Sequence, residues 1–93
     1  MVVEFVKRFE KELKNAPRDI QKRVILIVEK LQAASSLETA EVDYKKMEGQ
    51  KPGESYYRIR VGDWRIGVEY INPDITLLRL LSRGTVYKNF PPK

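Results

Sequence analysis

The sequence predicts an α+β fold: an N-terminal strand and a two-helix hairpin packed on one face of a twisted antiparallel sheet. Three observations predict it. Apolar residues recur at helical spacing over the first third of the chain. Two alternating runs flank the pair Gly62–Asp63. A third strand-like run follows the turn signal Asn72–Pro73–Asp74.

Residues 1–5 read as a short strand. From about Val6 the period becomes helical: Phe5, Phe9, Leu13 and Ala16 form one apolar stripe. Pro17 ends that helix and suits the first turn of the next, with Asn15 as a cap before it. Ile20, Val24, Ile27, Val28 and Leu31 share one face of the second helix, and Arg18, Lys22 and Glu29 fall off it. Residues 33–41 are weakly patterned and read as a connection with room for one more helical turn. Residues 43–47 read as a strand ended by Glu48–Gly49, and residues 50–54 as a loop around Pro52–Gly53. Strands follow at 56–61, 64–71 and 75–81, then a terminal turn or short helix at 84–90. Consecutive strands with short connections pair antiparallel. With no internal repeat and no linker, residues 1–93 read as a single domain.

Composition narrows the chemistry. There is no cysteine and no histidine among the 93 residues. Thiolate chemistry, disulfides and the usual zinc sites are therefore excluded, along with the commonest general acid and base. The apolar runs are short and broken by charge, so the expected location is the cytoplasm, with no membrane partner. The net charge is +5. Residues 1–44 carry 8 Lys/Arg against 8 Asp/Glu, whereas residues 45–93 carry 10 against 5. A basic half points to a polyanion, most simply nucleic acid.

The segment Tyr56–Tyr57–Arg58–Ile59–Arg60–Val61–Gly62–Asp63–Trp64–Arg65–Ile66–Gly67–Val68 sharpens that reading. A two-residue loop at Gly62–Asp63 sets Val61 opposite Trp64, Arg60 opposite Arg65, Ile59 opposite Ile66 and Arg58 opposite Gly67. Tyr57, Ile59, Val61, Trp64, Ile66 and Val68 then share the core face, and Tyr56, Arg58, Arg60 and Arg65 share the other. With Leu78 and Leu80 inward, Arg79, Leu81 and Arg83 join the arginine side. Charged residues on an open sheet face are usually only solvated. Like charges directly opposed across a strand pair are destabilising, however, and a phosphate-binding face offsets that cost. Tyr87, four residues after Arg83, can fold back to stack on a base or simply anchor the C-terminus.

These residues resemble the RelE/ParE toxin superfamily. The match covers most of the chain and is carried by the Tyr-Arg-Ile-Arg-Val-Gly-Asp-Trp-Arg-Ile stretch and by Ser82–Arg83–Gly84–Thr85–Val86–Tyr87 after the last strand. The resemblance implies a RelE-like fold and a type II toxin: an endoribonuclease, or mRNA interferase, that cleaves messenger RNA on the ribosome without metal or cofactor. Partners implied are the ribosome, messenger RNA and a cognate antitoxin, with a heterotetramer as one assembly this allows. Carried over residue by residue, the catalytic set is Arg58, Arg60, Arg65, Arg83 and Tyr87. Lys45, Lys46, Tyr56 and Arg79 are expected to bind RNA around it.

The implied reaction is attack of a ribose 2′-hydroxyl on the adjacent phosphate. Arg65 and Arg83 are assigned to the phosphate, with Arg83 also aiding the leaving oxygen. Arg58 and Arg60 hold the nucleotide, and Tyr87 stacks on the base or shares in proton transfer. The best-known RelE form has lysines where Arg58 and Arg60 stand. Arginine is effectively never deprotonated, so the sequence leaves the acid–base residue open. Two rivals stay open as well: ParE-like inhibition of DNA gyrase by binding alone, and a plain RNA-binding module.

Overall fold

A computed structural model of the chain describes residues 1–91, and of Tyr87 the backbone only. The elements run β1 (Val2–Phe5), α1 (Lys7–Asn15), α2 (Arg18–Ala33), β2 (Tyr44–Lys46), β3 (Tyr56–Val61), β4 (Trp64–Ile71), β5 (Asp74–Ser82) and α3 (Arg83–Asn89). The strands form one sheet in the order β1-β5-β4-β3-β2. All neighbours pair antiparallel except β1, which lies parallel to β5 at the edge. The two helices after β1 carry the chain across one face of the sheet, and β5 arrives last beside the strand that started it.

The helices form where the apolar period demands. Phe9 of α1 and Ile20, Val24 and Leu31 of α2 are buried against Ile59, Val61, Ile66, Val68, Ile75, Leu77 and Leu80 of the sheet. Each such side chain contributes about 1.5–3 kcal/mol on burial. The expected Asn15 cap is not present: Asn15 ends α1, and the residue before α2 is Pro17, which makes no side-chain cap. Gln21 closes the corner instead. Its Nε2 donates to the carbonyls of Lys14 and Ala16 at 3.2 and 3.0 Å, groups that the end of α1 leaves without helical partners. At the other end of α2 the Met1 ammonium donates to the carbonyls of Leu31, Gln32 and Ala34, a cation at the negative end of the helix.

A second, smaller cluster lies on the opposite face. There α3 packs Val86 and Phe90 on Met47 and Leu81, with Tyr56 and Leu78 at its margin. Of the two forms expected for the C-terminal segment, turn or short helix, the helix is the one present, and it covers part of the arginine face. No helix among the described residues is long and apolar enough to cross a membrane.

Candidate nucleic-acid interface

The β3–β4 hairpin positions the site. Gly62 adopts φ 58°, the positive value needed at the first loop position of a II′ hairpin. The register is the one the alternation predicts: Arg60 pairs with Arg65, Ile59 with Ile66 and Arg58 with Gly67. Ile59, Val61, Ile66 and Val68 face the helices, so the arginines are raised on the other side. Arg83 joins them because its backbone N–H donates to the Asp63 carbonyl at 2.8 Å, which ties the start of α3 to the hairpin loop.

The four arginines are not equivalent. Arg83 is exposed. Arg60 is also exposed, its Nε 3.4 Å from the Gly62 carbonyl. It lines a groove with Arg23, Ile27 and Lys30 of α2. Arg58 is half-buried, with 15% of its side chain accessible and its Nη1 4.0 Å from an Asp43 carboxylate oxygen. Its Nε and Nη1 donate no hydrogen bond among the described residues. Arg65 is only 5% exposed. Its Nη1 donates to the carbonyls of Gly62 and Trp64, both at 2.9 Å, so it braces the loop from beneath.

Of the expected RNA-binding residues, Arg79 is held by an ion pair and Lys46 lies on the other side. A register shift at Gly67/Val68 lets Leu77 face the core while Leu78 packs on the α3 side. That bulge sets Leu78 beside Arg79 opposite Gly67, which reverses the expected inward position of Leu78, while Leu80 stays inward and Arg79 keeps the expected side, close to α1 along the free edge of β5. There Arg79 makes a two-pronged pair with Glu12 of α1: Nε to Oε1 at 3.1 Å and Nη2 to Oε2 at 3.0 Å. Lys46 pairs with Tyr57, a core-side residue, and so lies on the side away from the arginines. Its neighbour Lys45 pairs with Arg58 and shares the arginine side.

Tyr56 is on this face as expected, opposite Glu69 and edge-on to Phe90 at 5.5 Å between ring centroids. Burial raises its pKa above the usual tyrosine value, and the charges of Glu69 and Glu54 push in the same direction. Tyr56 is thus a neutral phenol at neutral pH. The Tyr87 side chain, the fifth expected catalytic group, lies outside what the structure describes; its backbone is in α3.

Sequence reading missed three contributors. Arg23 reaches the hairpin, its Nη1 2.6 Å from where a Cβ on Gly62 would sit. Gln50 closes the β2–β3 loop, accepting from the Tyr56 N–H and donating to the Met47 and Tyr56 carbonyls. Glu12 holds Arg79, and its Oε1 also accepts the Leu80 N–H at 3.0 Å. The adjacent leucines Leu77–Leu78, which break strict alternation, were the one available signal for the bulge.

The chain is similar to known proteins in sequence and in fold. A profile for the family described as "ParE toxin of type II toxin-antitoxin system, parDE" matches residues 3–87. The chain is 44% identical over 91 residues to Toxin RelE3 of Methanocaldococcus jannaschii, covering 98% of this chain and 100% of the relative. A RelB-RelE antitoxin-toxin complex from Methanococcus jannaschii contains a chain 42% identical with a TM-score of 0.77, over 95% of this chain and 99% of that one. An archaeal RelE-RelB complex from Pyrococcus horikoshii OT3 matches at 27% identity and a TM-score of 0.68, over 89% of this chain and 94% of that one.

Proposed function

We propose that this chain, which belongs to the ParE toxin family of type II toxin–antitoxin systems, is an endoribonuclease that cleaves messenger RNA on the ribosome. The observation that carries the reading is Arg58. A guanidinium 85% withdrawn from solvent is costly to hold with two donor atoms unmet, unless a ligand meets them. On a face shared with Lys45, Arg60 and Arg83, a phosphate supplies the acceptors.

The substrate carries its own nucleophile. Its 2′-oxygen attacks the adjacent phosphorus, the P–O5′ bond breaks, and the products are a 2′,3′-cyclic phosphate and a 5′-hydroxyl. Negative charge grows on the phosphoryl oxygens in the transition state. Fixed guanidinium groups aimed at that charge lower the barrier more than they tighten ground-state binding. We assign Arg58 and Arg83 to this role, and Arg60 extends the cationic surface toward Arg23 and Lys30. Arg65 works mainly from below, holding the hairpin loop and adding positive potential. Tyr87 is assigned to the base.

A cognate antitoxin is the second partner. The relatives that crystallise as RelB-RelE complexes support it. So does exposed apolar surface at Phe5, Ile25 and Leu26, which a wrapping chain would cover. A heterotetramer with that antitoxin is the proposed assembly, and the cytoplasm the proposed location.

The test is incubation with purified ribosomes and a defined messenger, with the ends mapped, beside a gyrase assay for DNA breaks. Cleavage giving 5′-hydroxyl ends supports the nuclease. Gyrase-dependent breaks with an intact messenger overturn it in favour of inhibition by binding.

A further inference from the structure

Among the cations of this face, Lys45 differs in kind. Arg58, Arg60, Arg65 and Arg83 carry guanidinium groups, a side-chain type that serves as a fixed charge and not as a proton donor. A lysine ammonium is charged at neutral pH yet can release a proton to an oxyanion. Tyr56, a neutral phenol, is another group on this face with an exchangeable proton. It sits one row along, beside Glu69, and it is held neutral there.

Backbone geometry fixes Lys45 next to the phosphate seat. Lys45 and Arg58 are direct partners on antiparallel β2 and β3. Side chains of such partners rise side by side from the same face, with Cβ atoms about 5 Å apart. The strand is pinned at both ends: the Arg60 N–H donates to the Asp43 carbonyl at 2.8 Å, and the Met47 N–H to the Tyr56 carbonyl at 3.0 Å. Lys45 itself is exposed and makes no ion pair among the described residues. Its ammonium is therefore not committed elsewhere, whereas Arg58 has an Asp43 oxygen 4.0 Å from its Nη1 and Arg79 is held by Glu12.

We infer that Lys45 is the general acid of the proposed cleavage, the group that protonates the departing 5′-oxygen. The inference rests on the nuclease reading above. As the 2′-O–P bond forms, the P–O5′ bond breaks and its electron pair goes to O5′. The Lys45 ammonium passes one proton to that oxygen. The 2′-hydroxyl proton passes to water, and the Lys45 amine regains its proton from water. No metal or redox partner is needed for this balance. Arg83 and Arg58 keep their protons throughout and stabilise the phosphoryl charge.

The experiment is single-turnover cleavage of ribosome-bound messenger by wild type, Lys45→Ala and Lys45→Arg. Two substrates are compared, one natural and one with sulfur replacing the bridging O5′ at the cut site. A thiolate leaves without being protonated, so that substrate does not need the acid. On the natural substrate both variants are expected to lose about a hundredfold in rate. Arginine keeps the charge but not the proton transfer, so it should not rescue. On the sulfur-bridged substrate both should cut within about threefold of wild type. An equal defect on both substrates overturns the acid role and makes Lys45 a binding or positioning cation. No defect on the natural substrate overturns any role in the chemistry. If wild type cuts neither messenger, the nuclease reading itself is what fails. Lys45 is exposed at the sheet edge, so an unchanged melting temperature is expected for both variants.

Discussion

The Phe90 ring lies against the backbone of Gly67, with ring atoms 2.8 Å from the point a Cβ on Gly67 would occupy. Gly67 is the cross-strand partner of Arg58, so this contact seats α3 beside that arginine. A methyl group there has no room. Gly67→Ala should destabilise the protein by about 1–3 kcal/mol, the usual cost of overpacking. Phe90→Ala empties the same site and should cost about 3–5 kcal/mol. Because the alanine at 67 has space once the ring is gone, the double variant should be more stable than the sum of the two losses implies. Urea denaturation of the four proteins measures this. Strict additivity would mean that α3 is not held by this contact.

Arg79 and Glu12 should behave as a structural pair and not as part of the RNA surface. Their side chains are 13% and 21% exposed, and Glu12 also accepts the Leu80 N–H. Glu12→Ala should cost about 2–3 kcal/mol, since it strands a largely buried guanidinium and a backbone donor. Arg79→Ala should lower stability while leaving the salt dependence of ribosome binding unchanged. A phosphate contact at Arg79 would instead reduce the slope of log K against log salt by about one.

The contrast between Leu78 and the hairpin arginines shows where the sequence is legible. Around Gly62–Asp63 the alternation is strict and the loop length is two. The register, and with it the face of Arg58, Arg60 and Arg65, follows from local pattern alone. On β5 the run Leu77–Leu78–Arg79–Leu80–Leu81 suits either face, and only pairing with β4 reveals the bulge that decides it. On β2 the three strand residues are too few to carry a period. The facing of Lys45 and Lys46 is set instead by hydrogen bonds to β3. The covering of the open face by α3 depends on Gly67 meeting Phe90, residues 23 positions apart, and no local rule pairs them.

Tyr56 gives a prediction for alkaline pH. Its folded-state pKa lies above the ordinary tyrosine value, so the folded protein holds the phenol proton more tightly than the unfolded chain does. The stabilising contribution is complete below the unfolded value. It declines as pH rises from there through the folded pKa, because the unfolded state gains from ionisation first. Denaturant midpoints should fall above pH 10 in wild type and fall less steeply in Tyr56→Phe. Absorbance titration of the phenolate supplies the independent check. A Tyr56 that ionises at or below the ordinary tyrosine value would rule out burial beside Glu69 and Glu54 as its environment.

Arg65 and Arg83 should separate cleanly, although the toxin resemblance gives both to the phosphate. Arg83 is exposed, and its position is fixed through its backbone. Arg83→Ala should therefore leave the fold intact and lower the single-turnover rate about a hundredfold, the usual cost of losing one transition-state donor. Arg65 is 5% exposed and spends its Nη1 on two hairpin carbonyls. Arg65→Ala removes both charge-assisted bonds from the loop that carries Asp63 and tethers Arg83. It should cost about 2–3 kcal/mol of stability and lower the rate as well, because the arginine face is no longer held in shape. Arg65→Lys should recover little, since an ammonium cannot reproduce a planar fork directed at two carbonyls. Urea denaturation and single-turnover cleavage on the same preparations decide it. A wild-type midpoint for Arg65→Ala with a hundredfold slower cut would return Arg65 to direct contact with the phosphate. Lost stability with a rate near wild type under folding conditions would confine it to the scaffold.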